Sequence, residues 1–338
     1  MAVRRLELCG SLMIAVFICW LTIHSAAAPY GEPAMLNPKA FARARGFIKS
    51  KARPLEQVLF DFHFADGSGD AVIRELAKFQ NGDGGFASDL ESDTRWTGSS
   101  PLGTMKALRI LNEVGATDKN IHVQAAIRYL LAAFDEENGL WHALPKEANS
   151  APHAPWWNVS DQTGKCEVES PVFPTAALAA YLRAYSKSLP PGFLQRITKP
   201  SLDFLSRAPV RMPMPDIEMA TELVQSLPPQ ERAKATNKLR SVLATVVVRD
   251  PRKWATYNIK PLTFIHSPNS PFYADFADAI QANLDYIIST QQSDGGWGLT
   301  WSWENVDPVA WKAAEKEWRG VVTLENLETL ESFRRISQ

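Results

Sequence analysis

The sequence predicts an all-α protein made of repeated helical hairpins. Three observations predict it. Apolar residues recur at spacings of three and four along most of the chain, which is the period of an amphipathic helix. Strand-like alternation is nearly absent, and Val246, Val247 and Val248 form the one run that reads as β. A Gly-rich stretch, QNGDGGFA from Gln80 to Ala87, returns as QQSDGGWG from Gln291 to Gly298, 211 residues further on. Repetition of this kind marks a stacked architecture in which no unit can bury its apolar face alone.

Residues 1–28 form a separate object. Arg4 and Arg5 precede an apolar run from Leu8 to Ile23, and the small residues Ser25, Ala26, Ala27 and Ala28 follow. That is the pattern of a secretory signal peptide, with cleavage expected after Ala27. The run is short of the roughly 20 residues a spanning helix needs, so a membrane is a partner only if the segment stays uncleaved and acts as an anchor. The expected location is secreted, periplasmic or the lumen of a secretory pathway. Cys9 and Cys19 fall in this segment and leave Cys166 alone in the mature chain, so packing rather than an internal disulfide must supply stability. With 36 basic and 37 acidic residues spread through the chain, the net charge of −1 gives a polyanion nothing to bind, and nucleic acid is excluded as a partner class.

From there the elements follow in order, over one continuous domain expected to span 38–336. Asn37 reads as an N-cap with Pro38 in the first helical position, opening a helix that carries Phe41, Ala44, Phe47 and Ile48. Val72, Ile73, Leu76 and Phe79 share the same spacing and lead into the first Gly-rich motif. After a variable loop, Thr104, Leu108 and Leu111 line one face of a second helix. An eroded copy of the motif, LLAAFDEENGLW, places Asn138, Gly139 and Trp141 where Asp83, Gly84 and Phe86 stand. Thr175, Ala179 and Leu182 then repeat the second-helix signature. The stretch from Leu189 to Pro271 carries no clear copy. Leu284, Ile287 and Ile288 precede the last motif, and Thr323, Leu327 and Leu330 follow it.

Within the motif, Gly suits the left-handed turn that closes a helix, and a second Gly lets the backbone pass close to a neighbour. Asp83 and Asp294 are placed to accept free amides, Gln80 and Gln291 to bridge turns of adjacent hairpins, and the final aromatic to bury a large surface. The motif therefore reads as a structural staple.

A QxxDGGW run between an apolar helix and a Thr-x-x-x-Leu helix resembles the repeat of squalene cyclases and their relatives in the terpenoid cyclase and protein prenyltransferase superfamily. The resemblance implies a single α/α toroid, with inner helices around a central cavity and loops framing its mouth. Runs at Arg53 to Gln57 (RPLEQ) and Pro152 to Trp157 (PHAPWW) also resemble those of uncharacterised, prenyltransferase-like bacterial proteins. The active sites of the family do not carry over: no DxDD acid, no Asp, Cys and His zinc cluster, and no thioester sequence is present.

Chemistry is therefore sought in the unlike loops after each motif. SDLESDTRWTGSSP gathers Asp89, Glu91 and Asp93, candidate proton carriers, beside Trp96. APHAPWWN holds His153 between Pro152 and Pro155, followed by Trp156 and Trp157, as a stiff pocket wall. LTWSWENVDP offers Trp301 and Trp303 as aromatic lining. Clustered carboxylates could also serve a hard cation, and no metal or cofactor is specified. His63 reads as a core histidine, and Cys166 has no visible base partner. The function expected is acid or base chemistry on an isoprenoid-like substrate. A polysaccharide lyase or hydrolase is the enzymatic alternative and a non-catalytic binding protein the other, so the expected partner is a small hydrophobic molecule or a glycan.

Overall fold

Helix caps set most of the boundaries in the computed structural model, which describes residues 32–337. The expected signal segment, 1–28, lies outside the described residues. Asn37 caps α1 (Pro38–Lys51) by accepting the Ala40 amide, with Pro38 in the first turn as expected. Then come α2 (Pro54–Phe64) and α3 (Gly69–Leu76). Two short strands, β1 (Phe86–Ala87) and β2 (Ser99–Ser100), pair antiparallel and pinch the acidic loop at its base. Ser100 caps α4 (Pro101–Glu113), and Asn120 caps α5 (Ile121–Ala132). After α6 (Thr175–Leu182) the motif-free region supplies α7 (Phe193–Arg207), α8 (Met214–Ser226) and α9 (Pro229–Val246). The chain ends with α10 (Tyr273–Ser289) and α11 (Pro308–Ser332), the latter capped by Asp307.

Helix outweighs strand by 59% to 4%, so the protein is all-α. The valine run does not form a strand: Val246 closes α9, and the Val248 amide donates to Ile259 O at 2.8 Å. Residues Ala34–Gln338 cluster as one unit, in which α4 packs on α6, α6 on α8, and α11 on α1 and α2. Burial falls most heavily on the helix after each motif; α6 buries seven of its eight residues, whereas α3, before the first motif, buries Val72 and Leu76.

The motif is a staple with a recurring hydrogen-bond pattern. The amide of its aromatic residue donates to the Thr of the following helix in all three copies: Phe86 to Thr104 Oγ1 (3.0 Å), Trp141 to Thr175 Oγ1 (3.1 Å) and Trp297 to Thr323 Oγ1 (3.1 Å). All three threonines are buried, so each hydroxyl satisfies a buried amide with no water to compete. In the two full copies the Asp accepts the amide two residues on, Gly85 to Asp83 and Gly296 to Asp294.

The same two copies dock on a neighbouring helix in the same way. Gln80 Nε2 donates to Gly84 O and to His122 O in the first turn of α5; Gln291 Nε2 donates to Gly295 O and to Ala40 O in the first turn of α1. Gly84 and Gly295 have φ of +91° and +95°, and a Cβ there would stand 2.5 Å from Ala125 O and 2.3 Å from Arg43 O. Only Gly allows that backbone and that approach together. The last motif thus sits on the first helix as the first motif sits on α5. Beside it the start of the described residues pairs with their end, with the Leu36 amide donating to Arg335 O and the Ser337 amide to Leu36 O.

Candidate active site

The three loops singled out in the sequence meet around Asp93. Trp303 Nε1 donates to Asp93 Oδ1 at 2.7 Å, and Trp303 packs edge-on against Trp311. The PHAPWW segment joins through its backbone: Arg95 N donates to Pro152 O and Ala154 N to Asp93 O. His153 turns Nδ1 to Ala151 O at 2.7 Å. Glu91 pairs with Lys106 Nζ at 2.6 Å. Burial, and then the Glu91 charge, push the Asp93 carboxyl up to about 6. Burial also raises the half-buried Asp89, which lies in the field of Arg95 and Glu317.

Glu91, Asp93, Trp157 and Trp303 are buried against protein partners, Trp157 beside Phe173. Trp96, Trp156 and Trp301 keep partial exposure, and Trp301 meets Trp318 edge-on at 5.3 Å. The cavity beside this junction is lined by Leu90 and Ser92 of the acidic loop rather than by its carboxylates.

From α2, α4 and α11 the cavity takes the charged Glu56, Lys106, Arg109, Glu113, Glu325 and Glu328, with Arg53 beside α2, set among apolar side chains such as Leu59, Ile110 and Leu324. Arg109 shows what kind of space it is. Its side chain is 48% exposed, yet burial is the largest influence on its charge, and its pKa still rises because Glu325, Tyr181, Glu222 and Glu113 surround it. Those partners come from α11, α6, α8 and α4. Arg109 thus opens onto the cavity on one side and is flanked by charged and polar groups of these helices on the others. Glu218 of α8 is likewise exposed, and burial ahead of all other influences raises it to about 7. Exposed His266 is driven down to about 4, by burial first and then by the positive charge of Arg109.

At one end of this space His63 Nε2 lies 2.6 Å from Glu113 Oε1 and 3.3 Å from Glu328 Oε1. The three side chains are 23%, 29% and 27% exposed, open enough for a ligand and dry enough to perturb protons. Burial, then the Glu113 carboxylate, push Glu328 up to about 8. Burial opposes charge on His63, but the hydrogen bond to Glu113 and the field of Glu328 outweigh it and raise its pKa. The trio therefore favours the protonated forms of both His63 and Glu328. One nitrogen and two oxygens within 4.8 Å also suit a cation in donor type. The 2.6 Å contact between His63 and Glu113 is a hydrogen bond, and Glu328 stands 3.3 Å from the same nitrogen.

Sequence reasoning missed Glu113, Glu328 and Arg109, and took His63 for a core residue. A signal was present: Lys106 and Arg109 follow Thr104 by two and five residues, as Glu325 and Glu328 follow Thr323. Charges in register with the staple's Thr mark a shared face of the second helices. No protein-family model matches the chain, and no curated protein matches it.

Proposed function

We propose that this protein is an exported glycoside hydrolase whose acid/base is Glu328 and whose nucleophile is Glu113. The observation that carries the reading is the carboxyl pair in a water-reached cavity, one member held protonated up to about pH 8 beside a member paired with His63. Glycosidic cleavage needs that division of labour between two carboxyls. Glu328 gives its proton to the glycosidic oxygen as the bond to the anomeric carbon breaks. Glu113 attacks that carbon from the other side, and the Glu328 carboxylate then takes a proton from the water that releases the sugar. Candidate oxygens within 4.8 Å favour the short spacing of retaining enzymes, about 5 Å, over the longer spacing of inverting ones.

Charge selects among substrates. Glu113, Glu218, Glu222, Glu325 and Glu328 all act around Arg109, while Lys106 is engaged by Glu91 and Arg53 by Glu56. Among the described residues this lining leaves no unpaired cation to neutralise the uronate that a lyase would need to activate. Neutral or basic sugars fit it.

The cavity is read as the centre of a closed α/α ring like that of the terpenoid cyclase superfamily. Support comes from the last motif docking on α1 as the first docks on α5, and from four helices converging on Arg109. Export rests on the pattern of residues 1–28. The test is release of reducing ends from a panel of neutral and amino-sugar oligosaccharides by wild type and Glu113→Gln. Turnover that Glu113→Gln loses supports the reading; an ultraviolet-absorbing unsaturated product would mean a lyase, and binding without turnover a lectin-like protein.

A further inference from the structure

A larger cavity lies between α10 and α11 above the turn at Pro261–Thr263, and its chemistry is the reverse of the first. Among the described residues its lining contains no Asp or Glu. It has one cation, Lys260, the neutral amides of Asn283 and Asn326, and the rings of Tyr286 and Trp301. Lys260 is half-buried, and burial is the one influence acting on its ammonium, with no carboxylate pairing it. An ammonium in such a place is costly unless something of opposite charge meets it. Asn283 supplies a second, independent sign. It is 1% exposed and lines the cavity; its Oδ1 accepts the Leu262 amide at 3.1 Å, and among the described residues its Nδ2 has no acceptor. An amide that opens onto the cavity presents its donors to an acceptor held there.

We infer that this second cavity binds an acidic sugar, whose carboxylate meets Lys260 and Asn283 Nδ2 while a ring face lies against Trp301. A carboxylate satisfies both the unpaired cation and the unmet donors, and an indole covers the apolar face of a pyranose. The site is separate from Glu113 and Glu328 and would let the protein hold acid-bearing glycan while its charged cavity works on neutral or basic sugars. It stands whether or not the first cavity hydrolyses anything.

The test is titration calorimetry of the full mature chain with glucuronate, with glucose and acetate as controls. Glucuronate is expected to bind at least tenfold more tightly than either control. Lys260→Met should weaken it at least tenfold, Lys260→Arg should retain it, and Trp301→Ala should weaken glucuronate but not acetate. Glu328→Gln should leave binding unchanged, which separates this site from the hydrolytic one. Glucose binding as tightly as glucuronate, no glucuronate binding, or a folded Lys260→Met that binds like wild type would each overturn the proposal.

Discussion

Replacing Gly295 by Ala should destabilise the protein far more than replacing Gly139 by Ala. Both glycines have positive φ, +95° and +69°, which costs an L-residue roughly 1–2 kcal/mol. At Gly139 nothing lies within 4 Å of an added Cβ, so that is the whole cost. At Gly295 the Cβ would stand 2.3 Å from Arg43 O and 2.4 Å from Arg43 C, backbone atoms that can yield only if α1 moves. Moving α1 breaks the bonds from Gln291 Nε2 to Ala40 O and from Arg43 Nη2 to Gln291 Oε1, each worth about 1 kcal/mol. The expected totals are about 3–4 kcal/mol for Gly295→Ala and about 1–2 kcal/mol for Gly139→Ala. Urea unfolding followed by far-ultraviolet circular dichroism reads the difference. Equal midpoints for the two variants would refute the idea that the last motif is locked onto the first helix.

Three further outcomes are expected. Thr323→Val strands the buried Trp297 amide and should cost about 1–3 kcal/mol in the same assay, with Thr323→Ser recovering part of it. Asp93 binds its proton more tightly in the fold, at about 6 against 3.8 unfolded, so its contribution is complete below pH 3.8 and is lost as pH rises through 6. That contribution is at most about 3 kcal/mol, and Asp93→Asn should flatten this part of the stability profile. Hydrolysis should survive EDTA, because the His63 trio shares protons; loss on chelation and recovery with zinc would assign the trio to a metal instead.

The staple was legible because one backbone task demands the same residues each time. A Gly whose Cβ would strike a carbonyl and a Thr that must meet a buried amide leave few substitutes, so Gly84 and Gly295, and Thr104, Thr175 and Thr323, stand out against a diverged background. Helices α7 to α9 lack that staple, and their stretch gave no repeat to recognise. The acidic, WSW and PHAPWW loops meet at Asp93, which touches both of the others, but Glu91 and Asp93 are engaged by Lys106 and Trp303. The cavity charges were hidden for a physical reason. Arg109, Glu113 and Glu328 line a cavity from α4 and α11, and in sequence such a charged face looks like any solvated surface.

The most direct test of the account is the pH dependence of hydrolysis by wild type and Glu328→Gln on an oligosaccharide that wild type cleaves. As the acid, Glu328 should give a wild-type rate that falls as pH rises through about 8, and its amide should cost on the order of 10²–10⁴ in rate with that limb gone. A folded Glu328→Gln that cleaves at the wild-type rate with the same pH profile would contradict it.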